Sequence, residues 1–278
     1  MYLNWLFIGP CLLYLLIEYI HSEIEYIYSE SEIMSTDRPK QETATRSVIL
    51  VGVGPGDPEY LTVRAVREIA GADVVAGFAT VLAVVEPLVT CQQMVLTYRN
   101  QEEQLAELAS LHAAGKHCVV CCYGDLNFSA QELIARVERH CGRVERISGI
   151  SSVQVACARA ALAMDETLFF TLHAREGIQE AQEEIVAAAL TGKRNLIILP
   201  LPWSFMPPQI AAMLLQGGIA GERPIIVYQK LTLLGESEIR TTVQQLAEWQ
   251  DKFSDLSIVV LPRSLDMSRT ADERATNV

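Results

Sequence analysis

With 278 residues, half of them hydrophobic and a fifth charged, the chain is long and apolar enough to bury the cores of two α/β domains or one large one. The formal charge is −12, of which residues 1–46 carry −4 and residues 264–278 carry −1, leaving −7 on the body from Ser47 to Arg263. An acidic body argues against broad attraction to nucleic acid, and seven cysteines without regular spacing read as buried thiols in a reducing cytoplasm.

Residues 1–33 differ in character from the rest of the chain. No charge precedes Glu18, and acids then alternate with Tyr and Ile as far as Glu32. The apolar run falls a little short of the roughly 20 residues that span a bilayer. It contains Gly9-Pro10 and has no basic n-region, so a secretory signal is not expected. Met34-Ser35-Thr36-Asp37 looks like an ordinary start, and residues 1–46 are expected to stand outside the fold, with a membrane anchor as the alternative reading.

From Ser47 strands and helices alternate. Val48–Val53 reads as a strand and 62–70 as a helix with apolar spacing at Val63, Val66 and Ile69. Strand 74–76, helix 80–85 stopped by Pro87, strand 94–96 and an amphipathic helix over 102–114 come next. Cys118–Cys122 is an apolar strand; its Cys-x-x-Cys has no second pair, so no metal site is assigned. A helix over 129–140, strand Val144–Ile147 and a helix over 152–161 complete a pattern that predicts a doubly wound, mostly parallel sheet. Beyond a short connection at 163–167 the second half reads as strands 169–172, 196–199, 225–228, 238–241 and 258–261. Helices are expected over 179–190, 208–215 and 243–252, and strand 238–241 is placed antiparallel to 225–228. The expected architecture is an N-terminal α/β domain over 47–163, a C-terminal mixed-sheet α/β domain over 164–263, a cleft between them and a tail over 264–278.

Glycine-bearing turns succeed the first, fourth and fifth strands. The first, Gly52-Val53-Gly54-Pro55-Gly56-Asp57-Pro58, resembles a phosphate-binding turn but fails as a dinucleotide fingerprint. Its third glycine comes one residue early, and Pro58 removes an amide donor. In a doubly wound sheet this turn should converge with Gly124-Asp125-Leu126 and Gly149-Ile150-Ser151 at the carboxyl edge. There Asp125 can accept from ribose or amino groups, or cap the helix after Phe128; Ser151 and Ser152 can donate to a ligand, or cap their own helix.

Gly52-x-Gly54-Pro55-Gly56-Asp57-Pro58-x-x-Leu61-Thr62, Ala72-Asp73-Val74-Val75, Gly124-Asp125 and Gly149-Ile150-Ser151-Ser152, in this order, resemble the motifs of the tetrapyrrole methylases. The resemblance covers about 47–263 and implies a two-domain fold using S-adenosylmethionine. It implies a cofactor site lined by Pro55, Gly124, Asp125, Phe128, Ser151 and Ser152, with Leu201 and Pro202 contributed by the second domain. Within the family, the stretches 124–129, 148–152 and 172–175 are most similar to the branch that methylates carbon 5 of precorrin-7 or its cobalt form in cobalamin biosynthesis. His173 and Arg175 then fall to the substrate. Arg99 and Arg159 join Arg175 as cations for a carboxylate-rich macrocycle that a −7 body would otherwise repel. The resemblance further implies a homodimer, and a separate protein for the carbon-15 methylation and decarboxylation that some relatives carry by fusion. Leu126, Ala130, Ser148 and Ala174 depart from the family pattern, which has Pro, Gly, Pro and Gly there. Alkylation of an enamine-like carbon by a sulfonium requires no metal or covalent nucleophile, and no catalytic base is assigned. Another tetrapyrrole as acceptor, or a cofactor-binding homologue without turnover, are the alternatives.

Overall fold

The computed structural model describes residues 47–128, 130–173 and 177–264. The first sheet contains β1 (Val48–Gly52), β2 (Val74–Phe78), β3 (Gln92–Leu96), β4 (Cys118–Cys122) and β5 (Val144–Ile147). The helices between them are α1 (Val63–Ala70), α2 (Ala79–Val85), α3 (Gln101–Ala113) and α4 (Gln131–Cys141). All pairings are parallel, in the order β3-β2-β4-β1-β5.

Side-chain alternation along the strands explains why helices cover both faces. Val48 and Leu50, with Val74, Ala76 and Val120, meet Leu105 and Leu108 of α3 and Ile134 and Val137 of α4. Ile49 and Val51, with Val75 and Val119, meet Ala65 and Ile69 of α1 and Val81, Leu82 and Val85 of α2. The doubly wound sheet expected from the sequence is therefore present. Burial pushes the Cys118 thiol up to about 11 and that of Cys122 to about 12, and raises Cys121 as well, so these are packing residues rather than nucleophiles.

The second sheet is built from β6 (Thr167–Thr171), β7 (Asn195–Leu199), β8 (Pro224–Gln229), β9 (Ser237–Thr242) and β10 (Ser257–Leu261), in the order β6-β7-β10-β8-β9. β6 and β7 run parallel and the other pairings are antiparallel, including the expected β8–β9 hairpin. α6 (Ile178–Thr191), α7 (Pro207–Gln216) and α8 (Val243–Ala247) cover one face through Ile185, Ala189, Ile210, Leu214, Val243 and Leu246. α8 stops well before the expected 252. Val243 and Leu246 are buried, and beyond the helix Trp249 and Phe253 pack half-buried against the same core from irregular backbone.

α5 (Ser152–Ala160) joins the two sheets. Sequence order assigns it to the first unit, yet Val153, Val155, Ala156 and Cys157 are buried against Ile197, Ile226, Tyr228, Ile258 and Val260 on the other face of the second sheet. Its N-terminus comes directly after β5 and so stays at the carboxyl edge of the first sheet. Among the described residues no helix is long and apolar enough to cross a membrane.

Candidate functional site

β4, β1 and β5 are neighbours, so the turns at their carboxyl ends are forced together. The first two turns are joined by backbone: the Gly124 amide donates to the Gly54 carbonyl at 2.8 Å, and the Gly54 amide returns a bond to the Gly124 carbonyl at 3.2 Å. Gly54 and Gly124 hold φ of 79° and 64°, the left-handed region that glycine enters at little cost. The third turn is held by a side chain. Asp125 Oδ2 accepts from the Gly149 amide at 3.0 Å, while Oδ1 accepts from the Asn127 amide at 2.8 Å. A carboxylate has about four acceptor positions, so both oxygens keep capacity for a further donor such as a hydroxyl.

Ser151 is buried and caps α5. Its Oγ accepts from the Val153 amide at 3.3 Å, and Gln154 Oε1 accepts from the Ser151 amide at 2.6 Å. Ser152 is the half-buried first residue of that helix. Pro55 is buried in the first turn, and Phe128 meets Phe169 of β6 edge-on with ring centroids 6.3 Å apart. Pro55, Gly124, Asp125, Ser151 and Ser152 are thus brought to one edge, with Phe128 reaching toward the second sheet.

The departures from the family pattern have local explanations. Leu126 is fully buried in the core under α3 and α4, trading a stiff turn for apolar packing. Ser148 Oγ accepts from Asn127 Nδ2 at 3.4 Å, a cross-turn bond that proline has no group to make. Ala130 begins α4 without a side-chain cap.

In the second sheet β6, β7 and β8 end on the same side, since β10 is antiparallel to both β7 and β8. His173, the Leu201–Phe205 turn and the β8–β9 loop therefore share an edge. Leu201 and Phe205 pair through backbone bonds of 2.9 and 3.2 Å, with Pro202 half-buried between them. Trp203 is 80% exposed in that turn with φ of 62°. A bulky residue at positive φ is strained, and such strain concentrates at working sites. Neither Trp203 nor the β8–β9 loop stands out in the sequence, because positive φ at a residue other than glycine leaves no compositional mark.

The predicted cations separate. Arg99 is exposed in the loop after β3, beside Tyr98, whose ring lies 5.2 Å from that of Phe78. Arg159 sits in the last turn of α5, far along the helix from Ser151, and pairs with Glu236 at 3.3 Å rather than joining the glycine turns. Arg175 lies outside the described residues, as does Ala174. Lys230, exposed at the start of the β8–β9 loop, is a cation without a motif around it to mark it in the sequence.

His173 keeps exposed surface, yet the protein around its ring removes enough water to lower its pKa, opposed by a hydrogen bond to the Pro200 carbonyl. Its ring is therefore neutral at pH 7 and adds no charge to the site. The unfolded chain takes up this proton near pH 6.5 and the folded chain only below that. Stability should accordingly fall as the pH drops through about 6.5. In urea denaturation at about pH 7 and pH 5, His173→Gln is expected to show a smaller loss than the parent; an identical loss would mean that the ring is solvated.

Taken together, the two sheets define an α/β protein in which glycine turns at the edge of one sheet face loops of the other. The chain belongs to the tetrapyrrole (corrin/porphyrin) methylases, whose family model it matches over residues 47–247. It is similar to a Methanocaldococcus jannaschii protein named "Probable cobalt-precorrin-7 C(5)-methyltransferase", at 27% identity over 77% of this chain and 96% of the relative. It is similar also to the cobalt-precorrin-4 C(11)-methyltransferase of the same organism, at 27% identity over 73% of this chain and 81% of the relative. Among solved structures, the uroporphyrin-III C-methyl transferase from Thermus thermophilus complexed with S-adenyl homocysteine shares the fold. It has a TM-score of 0.61 and 21% identity, covering 80% of this chain and 99% of that one.

Proposed function

We propose that this methyltransferase moves a methyl group from S-adenosylmethionine to a ring carbon of a corrin precursor, carbon 5 of precorrin-7 or its cobalt form. The observation that carries the cofactor part is the convergence of the Gly54, Gly124 and Gly149 turns under the Asp125 carboxylate. The residues present fit such a group. A Cβ on Gly56 would collide with Leu233, and one on Gly52 would lie 2.6 Å from the Gly124 carbonyl, so only bare backbone can form this cradle. Pro55, Gly124, Asp125, Phe128, Ser151 and Ser152 would hold the cofactor from the first sheet, and Leu201 and Pro202 from the second. When bound, the cofactor supplies an electrophilic methyl with a neutral thioether as leaving group. The chain's own contribution is alignment and exclusion of water, which is worth about 7–11 kcal/mol in favourable cases.

Carbon 5 is favoured because the Methanocaldococcus relative with that printed activity aligns along 96% of its own length. The carboxylates of such a macrocycle would meet Arg99 and Lys230, with Phe78 and Tyr98 offering a ring face beside Arg99. His173, neutral at the β6 end, is placed for hydrogen bonding rather than charge pairing. On this reading the carbon-15 methylation and decarboxylation belong to a separate protein, and the working form is a homodimer.

A second reading keeps the reaction and changes the acceptor, since the carbon-11 methyltransferase matches at the same 27% identity. The deciding experiment incubates the full chain with S-adenosylmethionine and, in turn, precorrin-7, cobalt-precorrin-4 and uroporphyrinogen III. Methylated product is followed by mass spectrometry. Turnover of precorrin-7 alone supports the carbon-5 assignment; turnover of another acceptor replaces it. Tight S-adenosylhomocysteine binding with no acceptor turned over would reduce the chain to a binding homologue.

A further inference from the structure

We propose that Thr232, Leu233 and Glu236, in the loop between β8 and β9, are positioning residues that hold the first glycine turn in its cofactor-ready shape. Arg159 is then part of this brace rather than a substrate cation. The inference rests on the cofactor site assigned above.

The loop is strained. Lys230 and Thr232 have φ of 50° and 68°, and Gly235 has 83°. Positive φ at a β-branched threonine is costly, and it persists only where the surroundings over-determine it. They do so here from several directions. The Thr232 amide donates to Glu236 Oε2 at 2.8 Å, and the Leu233 and Glu236 amides donate to the Lys230 and Leu233 carbonyls at 2.9 Å each. The conformation turns Thr232 Oγ1 toward the first sheet, where it accepts from the Asp57 amide at 3.1 Å across a sequence separation of 175 residues. The other oxygen of Glu236 pairs with Arg159 Nε on α5, the helix whose N-terminus is Ser151 and Ser152.

Leu233 completes the contact. Its side chain fills the space a Cβ at Gly56 would need, and the Tyr123 hydroxyl lies 2.9 Å from the same point. The turn Gly54–Asp57 is therefore clasped between two partners: Gly124 bonds it from within the first sheet, and Thr232 with Leu233 presses on it from the second. An exposed pair such as Arg159–Glu236 contributes little energy alone. Its contribution is geometric, fixing the carboxylate that fixes Thr232. Cofactor affinity is thereby made to depend on a hydrogen bond supplied by the other sheet.

The test is calorimetric titration of the full-length chain with S-adenosylhomocysteine, comparing the parent with Thr232→Val and Thr232→Ser. Valine keeps the shape and removes the acceptor; serine keeps the acceptor. The expected result is a Kd about tenfold higher for Thr232→Val, the scale of one lost hydrogen bond, with Thr232→Ser close to the parent. Parent-like affinity in Thr232→Val would overturn the brace while leaving the cofactor site standing. Equal losses in both variants would overturn it too, since the hydroxyl would then not be what matters. Failure of the parent to bind would instead overturn the cofactor-site assignment, and the brace with it.

Discussion

A Gly149→Ala protein is expected to lose S-adenosylhomocysteine binding together with about 3 kcal/mol of stability, the upper end for forcing one carbon into a packed site. A Cβ at this position would collide with the Gly124 carbonyl oxygen and lie 2.6 Å from that of Gly52. Both obstacles are backbone at the ends of β4 and β1, so no side chain can rotate away to make room. The strands must part, and the cradle opens as they do. Gly115→Ala is the matched control. Gly115 has φ of 86° with nothing within 4 Å of its added carbon, so it should cost only the about 1–2 kcal/mol of a left-handed alanine and leave binding intact. Urea denaturation and calorimetric titration of the two variants decide the matter. Parent-like binding in Gly149→Ala would mean that the three turns do not approach each other this closely.

The contrast between these two glycines shows what the sequence disclosed and what it withheld. Glycine after a strand marks a turn, and order along the chain identified which turns would share an edge. Whether a glycine is there for a positive φ, as Gly115 is, or for close backbone approach, as Gly149 is, depends on neighbours the sequence does not name. The apolar strand Cys118–Cys122 was legible to the residue because a buried parallel strand is a local pattern. Val144–Ile147, half charged and on the edge of the sheet, was delimited by Gly142 and Gly149 on either side of it. The burial of α5 against the second sheet was not legible, since an apolar helix face does not say which sheet it will cover. Arg159 misleads for a related reason. A lone arginine looks available until Glu236, far along the chain, is found beside it. The Asp57–Thr232 bond joins segments with no pattern in common, so only the fold reveals it.

Asp125→Ala is expected to raise the Kd for S-adenosylhomocysteine at least about tenfold and to lower stability by about 2 kcal/mol. The carboxylate accepts from two backbone amides at once, Gly149 at 3.0 Å and Asn127 at 2.8 Å, and alanine strands both. An unsatisfied buried donor costs about 1–3 kcal/mol; Gly149 is shielded by the turns around it, whereas Asn127, nearer the surface, recovers most of its loss through water. Asparagine separates the roles of this side chain. Its carbonyl can still accept from one amide, while its NH2 group faces the other donor, so Asp125→Asn should fall between the parent and the alanine variant in stability. If the carboxylate also accepts from the cofactor, Asp125→Asn should lose nearly as much affinity as Asp125→Ala despite its better stability. If instead affinity follows stability across the three proteins, Asp125 serves only to tie the Gly149 turn to the Gly124 turn. Ligand recognition would then rest on the backbone that the three glycines leave open.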